Sequence, residues 1–320
     1  RANLPWRSGE AFDEFPVCDA LEAIIAQEVR RNPCLGEIGP AIWPRVRYAT
    51  PTFLIVAYIP IGSRSGYRIR VEQEIQILVQ QGCVVHLACL VPRTPQTEDE
   101  EKKNESNRLA QAHLNEFAAM GCNAYLFEVH DFFRMHTDEL SFSETAEELA
   151  ELARKEHVDV IHAEAVYCAR VALPTKKMVH GLLLSIDWHG VVPEEARMGG
   201  AHENRVMALE RAEQQLLVQA DMNIFVSEAM NQHYHAKYGL KSLPHITVPC
   251  CVSDQRFAAL ESVTTSSLPE EELIFAYAGT MADWQCGLEM ISLFAALHHY
   301  DPRCRFMMLV PEFDQPKVLD

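Results

Sequence analysis

The sequence predicts an α/β protein built on a doubly wound parallel sheet, and three observations lead to this fold class. Short apolar runs alternate with helical patterns along most of the chain, which is the order of βαβ units. The apolar runs, such as FLIVAYIP at residues 53–60, are continuous, as expected of strands covered on both faces. The 320 residues are 48% hydrophobic, enough for a large core and about two domains.

The elements of the first domain follow in regular order. The predicted strands cover 53–60, 83–90, 123–129, 158–163, 181–186, 222–227 and 246–249. The predicted helices cover 18–30, 67–80, 107–120, 143–155, 202–220 and 228–238. The charged segment 94–106 (TPQTEDEEKKNES) is predicted to be a solvated surface loop.

A second domain is predicted to begin after a polar linker. The linker covers 261–272 (ESVTTSSLPEEE), and a strand, a helix and a strand follow at 273–278, 285–298 and 306–310. Three elements are too few to close a doubly wound domain, so we expect the second Rossmann-like domain to be truncated in this chain. The expected organisation is a lead-in at 1–52, a first domain at 53–260, the linker, and an incomplete second domain at 273–320.

Composition excludes several classes of protein. The net charge of −17 argues against a nucleic-acid partner, since nucleic-acid binders carry a basic face. The longest apolar run is too short for a membrane span of ~20 residues. The ten cysteines form no CxxC pair and show no zinc spacing, which predicts reduced thiols, a cytoplasmic protein and no metal site.

Candidate site residues stand where the predicted strands end, because ligands of such sheets bind at the carboxyl ends of the strands. Gly62 and Gly66 separate the first strand from its helix in IGSRSGYR, where glycine permits a close backbone approach to an anion or simply satisfies the turn. His162 and Glu164 end the fourth strand. They could line a cleft, or His162 could be a core histidine bonded to a backbone carbonyl.

The fifth strand ends in IDWHG, residues 186–190. Asp187 and His189 are two residues apart and point to the same side of an extended strand. The carboxylate can then orient the imidazole for acid/base work, or both can bind a polar ligand. Gly190 permits a sharp exit from the strand.

The next residues, Pro193, Glu194 and Glu195, have a structural explanation of their own. Proline fits the first turn of a helix, and carboxylates there meet the positive end of the helix dipole. A helix start is therefore the favoured interpretation, with general acid/base work as the alternative.

Taken in order, these strand ends resemble family 4 glycosyltransferases of the GT-B architecture. The motifs that carry the resemblance are DVIHA, the strand ending in His-Gly, ADMNIFVS, VPCCVSDQRF and YAGT, and they extend from about residue 53 to the end of the chain. Pro249, Val252 and Phe257 match the family segment that links the two domains. Cys250 and Cys251 replace its Asn and Gly.

The resemblance implies two facing Rossmann-like domains, the first binding the acceptor and the second most of a nucleotide-sugar donor. It implies transfer with retention of anomeric configuration, without a metal ion or a cofactor. It further implies that Gly62 and Gly66 approach the donor phosphates and that His189 contacts the transferred sugar. Catalysis would then consist mostly of positioning and charge stabilisation.

One departure from the family concerns the donor diphosphate. The family usually has Arg after the glycine of the first strand in the second domain, and Lys five residues later. Here Gly279 is followed by Thr280, and Gln285 stands at the second position. Two cations are thus missing where at least two negative charges must be held.

The expected function is a hexosyltransferase-type glycosyltransferase in polysaccharide or glycoconjugate synthesis. Its expected partners are a nucleotide sugar and a glycan, lipid-linked or other glycoconjugate acceptor, and a lipid-linked acceptor would bring the protein into peripheral contact with a membrane. Two alternatives stay open: a catalytically inactive GT-B-fold binding or partner subunit, and a sugar-nucleotide epimerase of GT-B shape.

Overall fold

The structure is a computed structural model that describes residues 50–61, 65–92, 100–129, 143–251 and 272–319. The predicted helix 18–30, Gly62, Val252, Phe257 and nearly all of the predicted linker 261–272 lie outside the described residues, as does almost the whole predicted lead-in 1–52.

Seven parallel strands form the main sheet, as the alternating pattern predicts. They are Thr52–Tyr58 (β1), Val84–Pro92 (β2), Asn123–Val129 (β3), Val160–Glu164 (β4), Leu183–Trp188 (β5), Met222–Phe225 (β6) and His245–Thr247 (β7). Their order in the sheet is β3-β2-β1-β4-β5-β6-β7, and every pairing is parallel. The winding direction reverses between β1 and β4, so the sheet is doubly wound and has its switch point there.

Seven helices accompany this sheet in the described residues. They are Gly66–Gln80 (α1), Glu100–Ala118 (α2), Ser143–Lys155 (α3), Ala165–Met178 (α4), Val192–Met198 (α5), Glu203–Gln219 (α6) and Glu228–Tyr238 (α7). Ser65 caps α1 by accepting a hydrogen bond from the backbone N–H of Arg68, and Ser227 caps α7 in the same way. Pro193 and Glu194 lie in the first turn of α5, as predicted for a helix start.

The sheet is covered on both faces, which explains its continuous apolar strands. On one face, Val71 and Ile75 of α1 and Phe117 of α2 pack on Ile55 and Leu87. On the other face, residues of α3, α4, α6 and α7 form the larger core with the alternate residues of β1, β4 and β5. Burial of these two apolar layers holds the strand ends in fixed positions.

The face that carries α1 changes from apolar to polar at the switch point. The side chains that β1 and β2 contribute to this face are apolar, whereas β4 and β5 contribute His162, Glu164, Ser185 and Asp187. The parallel register pairs His162 with Ser185 and Glu164 with Asp187. Because side chains two apart on a strand share a face, all four meet beneath α1.

A second, smaller parallel sheet follows in the region 272–319. It consists of Leu273–Ala278 (β8) and Cys304–Leu309 (β9), which pair in register, with Gly287–Tyr300 (α8) between them in sequence. A 3₁₀ turn at Asp283–Gln285 precedes α8, and Gln315–Leu319 (α9) ends the described chain. This strand–helix–strand unit is the expected beginning of a Rossmann-like domain.

One helix was not predicted and one sequence-based expectation was wrong. Residues 165–178, for which no element was predicted, form α4, which tolerates Pro174 because seven of its residues are buried against the core. Residues 100–106 were expected to belong to a surface loop but form the first two turns of α2. Arg108 pairs with Glu105 on that helix, so a charged run can also be the solvated face of a helix.

Candidate functional site

A pocket of about 350 Å³ opens at the switch point of the main sheet. The residues that line it come from the ends of β1, β4 and β5 and from the starts of α1, α4 and α5: Tyr58, Pro60, Ser65, Tyr67, Glu164, Ala165, Tyr167, Cys168, His189, Gly190, Val192 and Glu195. Its position is the one where doubly wound sheets bind ligands. Three tyrosine rings and two carboxylates give it both apolar and hydrogen-bonding walls.

His189 forms one wall of the pocket and is held by three neighbours. Its Nε2 lies 2.6 Å from Oε2 of Glu164 and 3.4 Å from Oδ2 of Asp187. The ring of Tyr67 lies beside it, with 4.9 Å between the ring centroids. Both carboxylates are completely buried, so these contacts fix the imidazole where β5 ends.

His162 lies deeper in the same cluster and is not itself one of the residues that line the pocket. Its Nδ1 lies 2.7 Å from Oγ of Ser185. Its Nε2 lies 3.2 Å from Oε1 of Glu164 and 3.3 Å from Oε2 of Glu74. Glu164 therefore joins the two histidines, since one of its oxygens faces each ring.

Arg70 of α1 completes the cluster from above the sheet. Its guanidinium donates two hydrogen bonds to the carboxylate of Asp187, one from Nε and one from Nη2 at 3.1 Å. Nε also lies 3.2 Å from Oε1 of Glu74, one helical turn away. Nη2 donates to the carbonyl of Val248 at 3.4 Å, and Nη1 lies 3.9 Å from Sγ of Cys250. One side chain thus ties α1, β5 and the segment after β7 together.

The cluster compensates its own charge when both imidazoles are protonated, with three cations facing three carboxylates. Burial by itself would lower the pKa of His189, but the hydrogen bond from the imidazole to Glu164 and the charges of Asp187 and Glu74 raise it above its ordinary value. The pKa of His162 is raised well above its ordinary value, because hydrogen bonds to Glu164 and Glu74 outweigh burial. Both rings are therefore favoured in their charged form.

The carboxylates respond in different directions. Burial would raise the pKa of Glu164, but hydrogen bonds from His162 and His189 lower it to about 2. Burial raises the pKa of Asp187, and the hydrogen bonds from Arg70 oppose that effect. Burial and the charge of Glu164 also raise the pKa of Glu74. Glu164 is consequently the firmly ionised anion that holds the two rings.

The amino-acid sequence shows the family to which this chain belongs. The sequence profile of Glycosyltransferase Family 4 matches residues 65–256, more than half of the chain, and this range contains the cluster and all of the pocket wall except Tyr58 and Pro60. The chain belongs to glycosyltransferase family 4. A comparison with curated proteins finds no match.

Solved structures share the fold of this family 4 chain at low sequence identity. A glycosyltransferase from Rickettsia africae has 13% identity and a TM-score of 0.50, with 82% of this chain and 69% of that chain covered. The apo structure of OtsA has 9% identity and a TM-score of 0.53, with coverage of 82% and 65%. The E. coli structure titled as trehalose-6-phosphate bound with UDP-2-fluoro glucose has 11% identity and a TM-score of 0.53, with coverage of 81% and 64%.

These likenesses confirm the GT-B-like fold class, and the small parallel sheet at 272–319 is consistent with a second Rossmann-like domain. The chain spans about two thirds of the length of these structures. Among the described residues, no helix has the length and the apolar composition needed to cross a bilayer.

The predicted site residues of this family 4 chain fall into two groups. The structure brings His162, Glu164, Asp187 and His189 into one cluster, with Gly190 on the pocket wall beside it. Gly66 is the first residue of α1, between two residues of the pocket wall, Ser65 and Tyr67.

The remaining predicted residues lie in the second sheet region. Gly279 and Thr280 follow β8, where the carbonyl of Thr280 accepts a hydrogen bond of 2.5 Å from the Tyr277 hydroxyl. Gln285 ends the 3₁₀ turn that lies near α5. The pocket wall includes none of these three residues.

Three residues of the cluster were not predicted from the sequence: Arg70, Glu74 and Ser185. Arg70 and Glu74 are four apart on α1, a spacing that is usual for ion pairs on exposed helix faces. A usable signal was present in the strands, because HAE in β4 and SIDWH at the end of β5 both alternate polar and apolar residues. Such alternation in strands that are covered on both faces indicates a buried polar face.

The cluster also has the spacing that a divalent ion could use. Glu74, His162 and Glu164 form one group, and Glu164, Asp187 and His189 form another, with the ligand atoms of each group within 4.8 Å of one another. A metal ion in either group would need the imidazole in its neutral form, and in the second group it would compete with Arg70 for the carboxylate of Asp187.

The charged histidines predict a pH-dependent stability. Since the pKa values of His162 and His189 are raised on folding, their contribution is complete below about pH 6.5 and is lost as the pH rises through the folded-state values. We expect the free energy of unfolding, measured by urea denaturation, to fall above that pH by about 1.4 kcal/mol per pH unit for each proton that the native state retains.

At acid pH the free energy of unfolding changes in the opposite direction, falling as the pH falls. The pKa of Glu164 is lowered to about 2, so its contribution to stability is present above about pH 4.5 and is lost as the pH falls toward 2.

A double variant tests the alkaline limb. The protein with His162→Gln and His189→Gln should lose less stability with rising pH than the wild type. Equal slopes for the two proteins between pH 7 and 9 would contradict the assignment of the charge to these rings.

Proposed function

We propose that this family 4 protein transfers a hexosyl unit from a nucleotide sugar to a glycan, lipid-linked or other glycoconjugate acceptor. The observation that carries the proposal is His189, fixed by the buried carboxylate of Glu164 in a pocket at the switch point of the sheet. The family match to residues 65–256 supports the reaction class. The nucleotide-sugar donor is supported by the UDP-2-fluoro glucose named for the structurally similar E. coli protein.

In this proposal His189 acts through the edge of its ring that faces away from Glu164. Nε2 is engaged by Glu164 and Asp187, whereas within the described residues Nδ1 has no protein partner. A protonated ring therefore presents the Nδ1–H to whatever occupies the pocket. It can donate to a sugar hydroxyl and stabilise negative charge as the nucleoside diphosphate departs.

Retention of anomeric configuration and independence from metal ions belong to the same proposal. The charge compensation within the cluster supports metal independence, because Arg70 and two imidazolium rings already balance the three carboxylates. Cytoplasmic localisation is supported by the free thiols of all eight cysteines in the described residues, Cys83, Cys89, Cys122, Cys168, Cys250, Cys251, Cys286 and Cys304.

The experiment is an assay of the full-length protein with a panel of UDP-, GDP- and ADP-sugars. We expect at least one donor to be bound and consumed, with unchanged rates after treatment with EDTA, and with an NMR spectrum of the product that shows the anomeric configuration of the donor. No binding, hydrolysis or transfer with any donor would rule out the proposed transferase. Recovery of a nucleotide sugar of altered configuration without an acceptor would point to an epimerase instead.

A catalytically inactive binding subunit is the second candidate, and Thr280 and Gln285 favour it. Neither residue is a cation, although family members usually hold the donor diphosphate with Arg and Lys at these positions. Under this alternative, the Thr280→Arg, Gln285→Lys variant gains no turnover over the wild type. Unaided turnover by the wild type would exclude it.

A further inference from the structure

Glu195 differs from every other carboxylate near the pocket. Glu74, Glu164 and Asp187 each face Arg70 or a histidine of the cluster. Within the described residues no cation pairs with Glu195, which lines the pocket and whose carboxylate accepts a hydrogen bond from the backbone N–H of Val191. Burial raises the pKa of Glu195, the backbone N–H of Val191 opposes that rise, and the charge of Glu194 adds to it.

The neighbouring Glu194 shows what a purely structural carboxylate looks like on the same helix. Its Oε1 lies 2.7 Å from Nζ of Lys237 and 3.1 Å from Nε2 of His233, both on α7. Glu194 therefore joins α5 to α7 and is absent from the pocket wall. The two carboxylates therefore differ: Glu194 ties α5 to α7, whereas Glu195 accepts a hydrogen bond from the backbone N–H of Val191 at the start of α5 and also lines the pocket.

Gly190 is what allows the Glu195 carboxylate to lie where it does. A Cβ atom at position 190 would stand 2.2 Å from Oε1 of Glu195 and 3.1 Å from its Cδ, far inside contact distance. Any other residue at this position would push the carboxylate aside. Because the atoms affected are the far end of a flexible side chain, the fold itself would tolerate the change.

We propose that Glu195 is the hydroxyl-binding residue of a carbohydrate subsite in this pocket, and that Gly190 keeps the space its carboxylate needs. The ligand is a polyhydroxylated ring of the acceptor. A carboxylate accepts short, strong hydrogen bonds from hydroxyl groups. The rings of Tyr58, Tyr67 and Tyr167 supply the apolar surface on which the C–H face of a sugar packs. This inference rests on the proposed function for the identity of the ligand as acceptor.

The test measures sugar binding without any nucleotide, using the full chain at pH 8. Methyl α-D-glucoside, methyl α-D-mannoside, methyl β-D-galactoside and N-acetylglucosamine are titrated by saturation-transfer-difference NMR. We expect the wild type to bind at least one probe and Glu195→Gln to weaken that binding about 10-fold or more, the effect of removing a charged hydrogen bond. Failure of all four probes to bind the wild type overturns the proposal, as does unchanged affinity in Glu195→Gln.

A double-mutant cycle tests the role of Gly190. We expect Gly190→Ala to weaken probe binding as much as Glu195→Ala does, and the double variant to bind no more weakly than Glu195→Ala, because the carboxylate has already left the pocket. Multiplicative losses in the double variant would show that the new methyl group blocks the pocket itself, which overturns the steric link.

Glu194→Gln is the matched control. It should lower the melting temperature, because Lys237 loses its closest partner, and leave probe affinity unchanged. Since the probes carry no nucleotide, the two proposals fail separately. Probe binding that depends on Glu195, in a protein inactive with every donor, would reject the transferase and keep the subsite. Sugar transfer by the wild type, together with unchanged probe affinity in Glu195→Gln, would keep the transferase and reject the subsite.

Discussion

Replacement of His189 by alanine is expected to remove most sugar transfer while the protein stays folded. The ring is the group that the cluster presents to the pocket, and loss of a group that shares a proton or a charge with the substrate typically costs ~100-fold or more in rate. The fold should persist because the side chain lies at the pocket edge and Glu164 keeps His162 as a partner.

The measurement is kcat and kcat/KM with whichever donor the panel identifies, together with a thermal melt. His180→Ala is the matched control, since His180 is exposed and does not line the pocket, and it should leave kcat, kcat/KM and the melting temperature unchanged. If His189→Ala turns over substrate as fast as the wild type, the role of His189 is structural only. Glu164→Gln should also reduce turnover, and it should move the alkaline limb of the pH–rate profile because it lowers the pKa of His189.

Removal of Asp187 should have the largest effect on stability. The carboxylate is completely buried and accepts two hydrogen bonds from Arg70, whose side chain is 11% exposed. With Asp187 removed, the three cations of the cluster face only Glu74 and Glu164, and a buried charge left without its partner costs about 3–5 kcal/mol. We expect the free energy of unfolding of Asp187→Ala, measured by urea denaturation, to be lower than that of the wild type by this amount.

The double variant Arg70→Met, Asp187→Leu separates the charge effect from simple loss of contacts. Apolar residues of similar size remove both desolvated charges, so the double variant should recover much of the stability that Asp187→Ala loses. A loss below about 1 kcal/mol for Asp187→Ala, the size typical of an exposed pair, would show that water reaches this ion pair.

The fold could be read from the sequence because its main signals are local. Continuous apolar strands that alternate with helical patterns need only neighbouring residues to be recognised, and all seven predicted strands of the first domain overlap the strands of the main sheet. Helix α4 was missed because Pro174 costs about 3 kcal/mol in an isolated helix, a cost that burial against the core offsets.

The site was harder to predict because it depends on contacts that are distant in sequence. His189 and Asp187 could be selected from one strand end, but Glu164 acquires its role from the register of β4 against β5. Arg70 lies 117 positions before the carboxylate that it binds. Glu195 was explained by its place in a helix, since nothing local shows that Gly190 leaves room for its carboxylate.

The direct junction between β4 and α4 limits how this protein can vary in length. Glu164 is the last residue of the strand and Ala165 the first of the helix, with a left-handed φ of 63° that is unusual for alanine. One added residue here would rotate the start of α4 by about 100° and carry Tyr167 and Cys168 off the pocket wall. We therefore expect natural relatives to differ by insertions and deletions elsewhere, and to keep this stretch free of them.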